Sequence, residues 1–224
     1  MLIDSTLREG AQHFGLYLSM QGRKGIIQAL DAACVEEIEL GWVGQEGLEE
    51  LLGWCARQGI KARLSIWSPC REMDVEQAAV LGVDRVNICV PSSEAHRRSR
   101  LGLSLSGLAS LVGRIVSRAR SAGLGYVSVG LEDVSRASML EAVSLAQAAV
   151  QAGASRIRLS DTVGVLTPRK MEQMVACFRR AVRAELAVHC HNDFGMASAN
   201  ALAALEAGAD YADVSVLGLG ERAG

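Results

Sequence analysis

Residues 156–191 read RIRLSDTVGVLTPRKMEQMVACFRRAVRAELAVHCH, and one β-α-β unit is legible in them. Arg156 to Ser160 has strand character, and the polar pair Asp161 and Thr162 follows at its C-terminal end. Pro168, just after Thr167, suits the first turn of a helix, where its fixed φ costs nothing and its missing N–H is not needed. A second strand is expected at Ala187 to Cys190, and it too ends in polar side chains, His189 and His191.

The same alternation extends outward in both directions. Strands are expected at Leu2 to Leu7, Glu37 to Leu40, Ala62 to Trp67, Arg85 to Val90, Tyr126 to Leu131 and Ala212 to Val216, which with the first two makes eight. Between them, apolar residues recur at helical spacing, as in Ile26, Ile27, Leu30 and Ala33, or Leu140, Val143, Leu145, Ala146 and Val150. Gly59, Gly82, Gly123, Gly153 and Gly208 stand where helices should stop. An open doubly wound sheet has a similar alternation, but its polar residues would gather at one switch point. Here they gather at the ends of many strands: Arg8 and Glu9, Glu39, Glu132 and Asp133, Asp161 and Thr162, His189 and His191. The pattern therefore predicts an α/β TIM (β/α)8 barrel with these side chains around one mouth.

Composition is consistent with a single domain over residues 1–224, since half of the 224 residues are apolar and no Pro-, Gly- or Ser-rich linker divides the chain. The net charge of −2 is spread evenly apart from Arg97, Arg98 and Arg100, which argues against a nucleic acid or membrane partner and for small molecules. Six cysteines without a CxxC pair read as reduced thiols, and the N-terminus shows no leader or anchor, so a cytoplasmic location is expected.

His189 and His191 lie two apart on a strand, so both imidazoles face the same way and can share a cation while Cys190 turns aside. With Glu9 as a carboxylate from across the barrel, two imidazoles and one acid would hold a divalent metal (Mg, Mn, Zn or Co) and leave positions open for a bidentate 2-oxo acid. Arg8 is placed either to stabilise an oxyanion or to close the barrel end with a salt bridge. Glu132 is a catalytic candidate, whereas Asp133 and Arg136 read as a brace. His96, in the loop after the fourth strand, is a candidate acid, base or CoA contact, with a plain surface histidine as the alternative. The Gly218 to Gly224 segment reads as a tight turn that lets backbone approach a ligand.

Three stretches resemble the DRE-TIM metallolyases, which include homocitrate, isopropylmalate and citramalate synthases and hydroxymethylglutaryl-CoA lyases. Asp4-Ser5-Thr6-Leu7-Arg8-Glu9-Gly10 is similar to their first-strand signature, His189-Cys190-His191-Asn192-Asp193 to their metal-binding strand, and Gly218-Leu219-Gly220-Glu221-Arg222-Ala223-Gly224 to their last-strand loop. The resemblance implies Glu9, His189 and His191 as metal ligands and Arg8 as the catalytic arginine. It places Thr162 on the substrate carboxylate and Gln12 near the site; Asn192 and His96 are further substrate-binding candidates.

Within that family, residues 127–133 and 192–197 look most like homocitrate synthases associated with nitrogen fixation. The lysine-pathway enzymes carry arginine where Ser128 stands, although Glu9 is more usual among them. Ala11 replaces the glutamate that commonly precedes Gln12, and Trp42-Val43 replaces an isoleucine-proline.

What the resemblance implies is a metal-dependent acyltransferase that condenses acetyl-CoA with a 2-oxo acid, 2-oxoglutarate giving homocitrate, and that forms a homodimer in the full-length form. The end at Gly224 falls before an asparagine that often completes the metal site in relatives. The expectation is thus a barrel truncated after the eighth strand, either a fragment of a longer protein or a short form with impaired synthase activity. Other readings are an isopropylmalate or citramalate synthase, a lyase with the same metal, a metal hydrolase barrel, and a non-catalytic remnant that binds ligand.

Overall fold

In the computed structural model, which describes residues 1–222, all strands run parallel and pair in chain order. They are β1 (Leu2–Asp4), β2 (Glu37–Trp42), β3 (Arg63–Pro69), β4 (Arg85–Pro91), β5 (Val127–Glu132), β6 (Arg156–Asp161), β7 (Glu185–Cys190) and β8 (Tyr211–Val214). The ring closes where Leu2 pairs with Ala212 and Asp4 with Val214. Helices α1 (Met20–Ala32), α2 (Leu48–Gln58), α3 (Glu72–Leu81), α4 (Glu94–Leu101), α5 (Leu105–Ser121), α6 (Met139–Gln151), α7 (Pro168–Ala181) and α8 (Ala197–Glu206) fill the connections, α4 and α5 both lying between β4 and β5. This is the TIM barrel that the strand-end pattern predicts. Among the described residues only a short 3-10 turn (Val216–Gly218) and no α-helix follows β8, and Ala223 and Gly224 of the glycine-rich turn lie outside those residues.

Local chemistry sets the helix limits. Ser19, Ser93, Ser104 and Thr167 accept the free N–H groups of the first turns of α1, α4, α5 and α7, and Pro168 opens α7. Gly59 and Gly82 end α2 and α3 in the left-handed conformation, at φ 66° and 67°. The amphipathic helices bury one stripe each on the barrel, as α5 does with Leu108, Val112, Ile115, Val116 and Ala119. None of the helices among the described residues is long and apolar enough to cross a membrane, and all six cysteines are free thiols.

Two strands are shorter than the sequence suggests. β1 stops at Asp4 rather than Leu7 because the Asp4 carboxylate accepts the Thr6 N–H, and the Ser5 carbonyl accepts the N–H groups of Arg8 and Glu9. β8 stops at Val214 rather than Val216, whose N–H turns to the Thr6 hydroxyl. Arg8 and Glu9 are therefore held on a hydrogen-bonded turn after β1, not on the strand itself.

The barrel interior contains charge that no apolar pattern announces. Glu37 and Arg156 face each other fully buried, with contacts of 2.7 and 2.8 Å, and Arg85 reaches the same carboxylate at 2.6 Å. The Arg156 guanidinium lies 4.9 and 5.2 Å from the ring centres of Tyr211 and Tyr126. One pair of residues further along β2 and β6, Glu39 and Arg158 repeat the ion pair at 2.8 Å. This second layer carries the mouth of the barrel.

Candidate metal centre

The carboxylate of Glu9 and the imidazoles of His189 and His191 each offer one atom to a common position, with those atoms all within 4.8 Å of one another. Strand periodicity aims both histidines inward from the end of β7, and the turn after β1 delivers Glu9 from the far side of the β1–β8 seam. Cys190, between the histidines, packs against the core, and burial pushes its thiol up to about 12.

The surroundings fit a divalent cation. His189 Nδ1 lies 2.7 Å from Asp213 Oδ2, the carboxylate–imidazole pairing that orients a metal-ligating histidine. His191 Nδ1 is buried and has no hydrogen-bond partner among the described residues. Burial, with the nearby His189 and Arg222, holds the His191 imidazole down at about 4, in the neutral form that ligates metals.

Arg8 joins the triad to the barrel floor. It pairs with Glu9, and its Nε donates to Glu39 Oε2 at 2.7 Å. Burial works against its charge, but Glu39 and Glu9 outweigh that effect and hold it protonated. Burial likewise penalises Glu39, yet Arg158 and Arg8 depress its carboxyl to about 2. The chain Arg8, Glu39, Arg158, Asp213, His189 is continuous, Arg158 Nε lying 3.4 Å from Asp213 Oδ2.

These groups open onto a cavity of about 400 Å³ at the barrel mouth. Of the residues expected from sequence, Arg8, Glu9, Gln12, Glu132, Thr162, His189 and His191 all line it. Thr162 Oγ1 accepts the Asp133 N–H at 2.8 Å and keeps its own proton to donate. Glu132 is tied to Arg100 of α4 at 2.5 Å. Asp133 is fully buried between Arg136 and Ser93, which is the bracing role expected of it.

Two candidates are not brought to the cavity. Asn192 is exposed, and its side chain accepts the Ala197 N–H at the start of α8, which holds the turn rather than facing the mouth. His96 sits on α4 behind Arg100, 3.4 Å from its Nη1, one side chain removed from the lining.

Sequence reasoning missed Arg158 and Asp213, and left Trp42 either to reshape the pocket floor or merely to pack. Arg156, Arg158 and Ser160 alternate along β6, and polar residues at every second position of a strand packed on both faces mark the barrel interior. Strict alternation from Glu37 and Glu39 would turn Trp42 outward. A register irregularity between Glu39 and Trp42 pairs Trp42 with Trp67 instead, and both indoles line the cavity. At the rim, Gly164 (φ 64°) is needed because a Cβ there would lie 2.1 Å from Asp193 Oδ2. That approach lets Asp193 hold Arg222 at 2.9 Å while Arg222 also donates to the Thr162 carbonyl.

The model of the HMGL-like family matches residues 1–224. The chain belongs to the HMGL-like family. It is 39% identical over 224 residues to 2-isopropylmalate synthase 2 of Caldanaerobacter subterraneus subsp. tengcongensis, covering all of this chain and 58% of that protein. It is 38% identical over 230 residues to homocitrate synthase 1 of Nostoc sp., covering all of this chain and 59% of that protein. The chain thus spans little more than half the length of these curated relatives. Hydroxymethylglutaryl-CoA lyase of Pseudomonas aeruginosa superposes with a TM-score of 0.84 at 23% identity, over 97% of this chain and 76% of that one. At that identity the likeness is one of fold. HMGL-like relatives with different names sit at nearly equal identity, so overall similarity does not select a reaction partner.

Proposed function

We propose that this HMGL-like barrel carries the catalytic site of a condensing acyltransferase, which joins the methyl carbon of acetyl-CoA to the keto carbon of a 2-oxo acid and releases CoA by hydrolysis of the thioester with water, with 2-oxoglutarate giving homocitrate as the preferred reaction. The reading is carried by the convergence of Glu9, His189 and His191 beside Arg8 in one cavity. The names of the relatives, isopropylmalate and homocitrate synthases, support the reaction class.

A divalent ion held by Glu9, His189 and His191 would supply Lewis acidity toward the keto and carboxylate oxygens of the 2-oxo acid. The protein's own groups do the rest. Thr162 donates its hydroxyl proton to the substrate carboxylate. Arg8 spends Nε on Glu39 and Nη1 on Glu9, which fixes the guanidinium plane and leaves Nη2 to donate to the ketone oxygen as charge grows there. Glu132 lines the cavity on the β5 side, where the acetyl methyl proton would leave, and Arg100 fixes its orientation.

The test is thiol release from acetyl-CoA with 2-oxoglutarate, pyruvate, 2-oxoisovalerate and oxaloacetate, with and without Mn²⁺, alongside Mn²⁺ titration. Release that requires metal, is greatest with 2-oxoglutarate and disappears together with Mn²⁺ binding in His189→Ala is expected. Full release by His189→Ala, or none with any acid despite bound Mn²⁺, would overturn the reading.

A further inference from the structure

Two arginines stand two residues apart on the inward face of β6 and are used differently. Arg156 is saturated by protein: its Nε donates to Ser128 Oγ at 3.2 Å, and Nη1 and Nη2 donate to the two Glu37 oxygens. Arg158 is equally buried, at 1% exposure, yet only its Nη1 makes a hydrogen bond, to Glu39 Oε1 at 2.8 Å. Its Nε faces Asp213 Oδ2 at 3.4 Å in an ion pair, its Nη2 has no hydrogen-bond partner among the described residues, and unlike Arg156 it lines the cavity. Buried donors are seldom left open, because each forfeits its hydration without recovering it elsewhere.

The side chains around this guanidinium narrow the acceptor. Trp42, Trp67, Cys89 and Ser160 line the same cavity, and none of them carries a carboxylate. Glu39 and Asp213 stand on the protein side of Arg158, where they hold its charge, and Glu132 is engaged by Arg100. Nη2 is thus the one nitrogen of Arg158 with no protein carboxylate beside it, and the cavity is where an acceptor for it can come from. A planar guanidinium fork matches a carboxylate or another oxyanion.

We propose that Arg158 selects, among 2-oxo acids, those that carry a second anionic group at the far end of the side chain. The inference rests on the proposed 2-oxo acid site and adds to it the substrate class. With the 2-oxo carboxylate at the Glu9, His189 and His191 end, the substrate side chain runs past Trp42 and Trp67, and its terminal oxyanion completes the hydrogen bonding of Arg158. Terminal carboxylates and terminal phosphonates share this chemistry.

Isothermal titration of the 224-residue chain in saturating Mn²⁺ tests it, using 2-oxoglutarate and phosphonopyruvate against pyruvate and 2-oxoisovalerate. At least one dianionic acid should bind roughly 10- to 100-fold more tightly than the acids with neutral side chains, the value of a charge-assisted hydrogen bond pair. Which of the two binds tighter identifies the terminal group. Arg158→Met should reduce that preference to about twofold, read as the ratio of the two classes' affinities in the same variant. Arg158→Lys keeps the charge beside Glu39 but loses the fork, and should lose most of the preference too. Equal affinity for both classes in the wild type overturns the inference and leaves the 2-oxo acid site standing. So does an equal loss for both classes in the variants, or failure of both variants to fold, since Arg158 would then be a brace. Binding of Mn²⁺ but of no 2-oxo acid overturns the proposed function itself, and this inference with it.

Discussion

Replacing Asp213 by asparagine isolates the contribution of one buried carboxylate to the metal site. Asp213 Oδ2 lies 2.7 Å from His189 Nδ1 and its side chain is 2% exposed, so water cannot stand in for it. Asparagine keeps the volume and an acceptor oxygen but removes the negative charge that makes the imidazole a better ligand. Carboxylates in this relation to a metal-bound histidine are worth about 10- to 100-fold in affinity, or about 1.4 to 2.7 kcal/mol. The structure puts the effect toward the upper end, because Arg158 also loses one of its two acidic partners and leaves more positive charge near the ion. Mn²⁺ titration by calorimetry, with circular dichroism to establish folding, measures it. A folded Asp213→Asn protein whose Mn²⁺ affinity stays within about twofold of wild type would refute the reasoning.

Other expectations follow from the same network. Arg8→Gln should keep Mn²⁺ binding but lower the rate of thiol release by on the order of 100-fold or more; loss of metal instead would make Arg8 a structural partner of Glu9. Glu37→Gln leaves Arg156 and Arg85 without their buried counter-charge, and urea denaturation should show a loss of about 3–5 kcal/mol, whereas a loss below about 1 kcal/mol would assign that layer little weight. Glu39 titrates at about 2 in the native protein instead of near 4.5. Its native form resists the proton that the unfolded chain takes up, so its stabilisation is complete above pH 4.5 and is lost as pH falls toward 2. Thermal midpoints measured from pH 6 to pH 3 should drop below pH 4.5, and a flat profile there would contradict the buried ion pairs.

Much of this protein is legible without coordinates, for reasons of periodicity. Helices α5 and α7 repeat apolar residues every three to four positions, Thr167-Pro168 and Gly82 mark a start and a stop, and β7 places His189 and His191 on one face because side chains alternate along a strand. The polar residues that follow so many strands led to the closed barrel and to Glu9 as the third ligand. Such signals are local, and local geometry enforces them wherever the chain goes.

What the sequence did not disclose depends on pairs distant along the chain. Asp213 matters because the β7–β8 register sets it under His189, and Arg158 because β2 carries Glu39 to it across the barrel interior. Trp42 faces the cavity through a strand irregularity that simple alternation misassigns, and Asn192, which motif position put near substrate, is exposed with its side chain accepting the Ala197 N–H. The sequence by itself determined the elements, their order and the candidate ligand residues, since these follow from neighbours within a few residues. Only closure of the barrel decided which buried charges are satisfied by protein and which remain open to a ligand, because burial and electrostatic pairing are properties of the assembled interior.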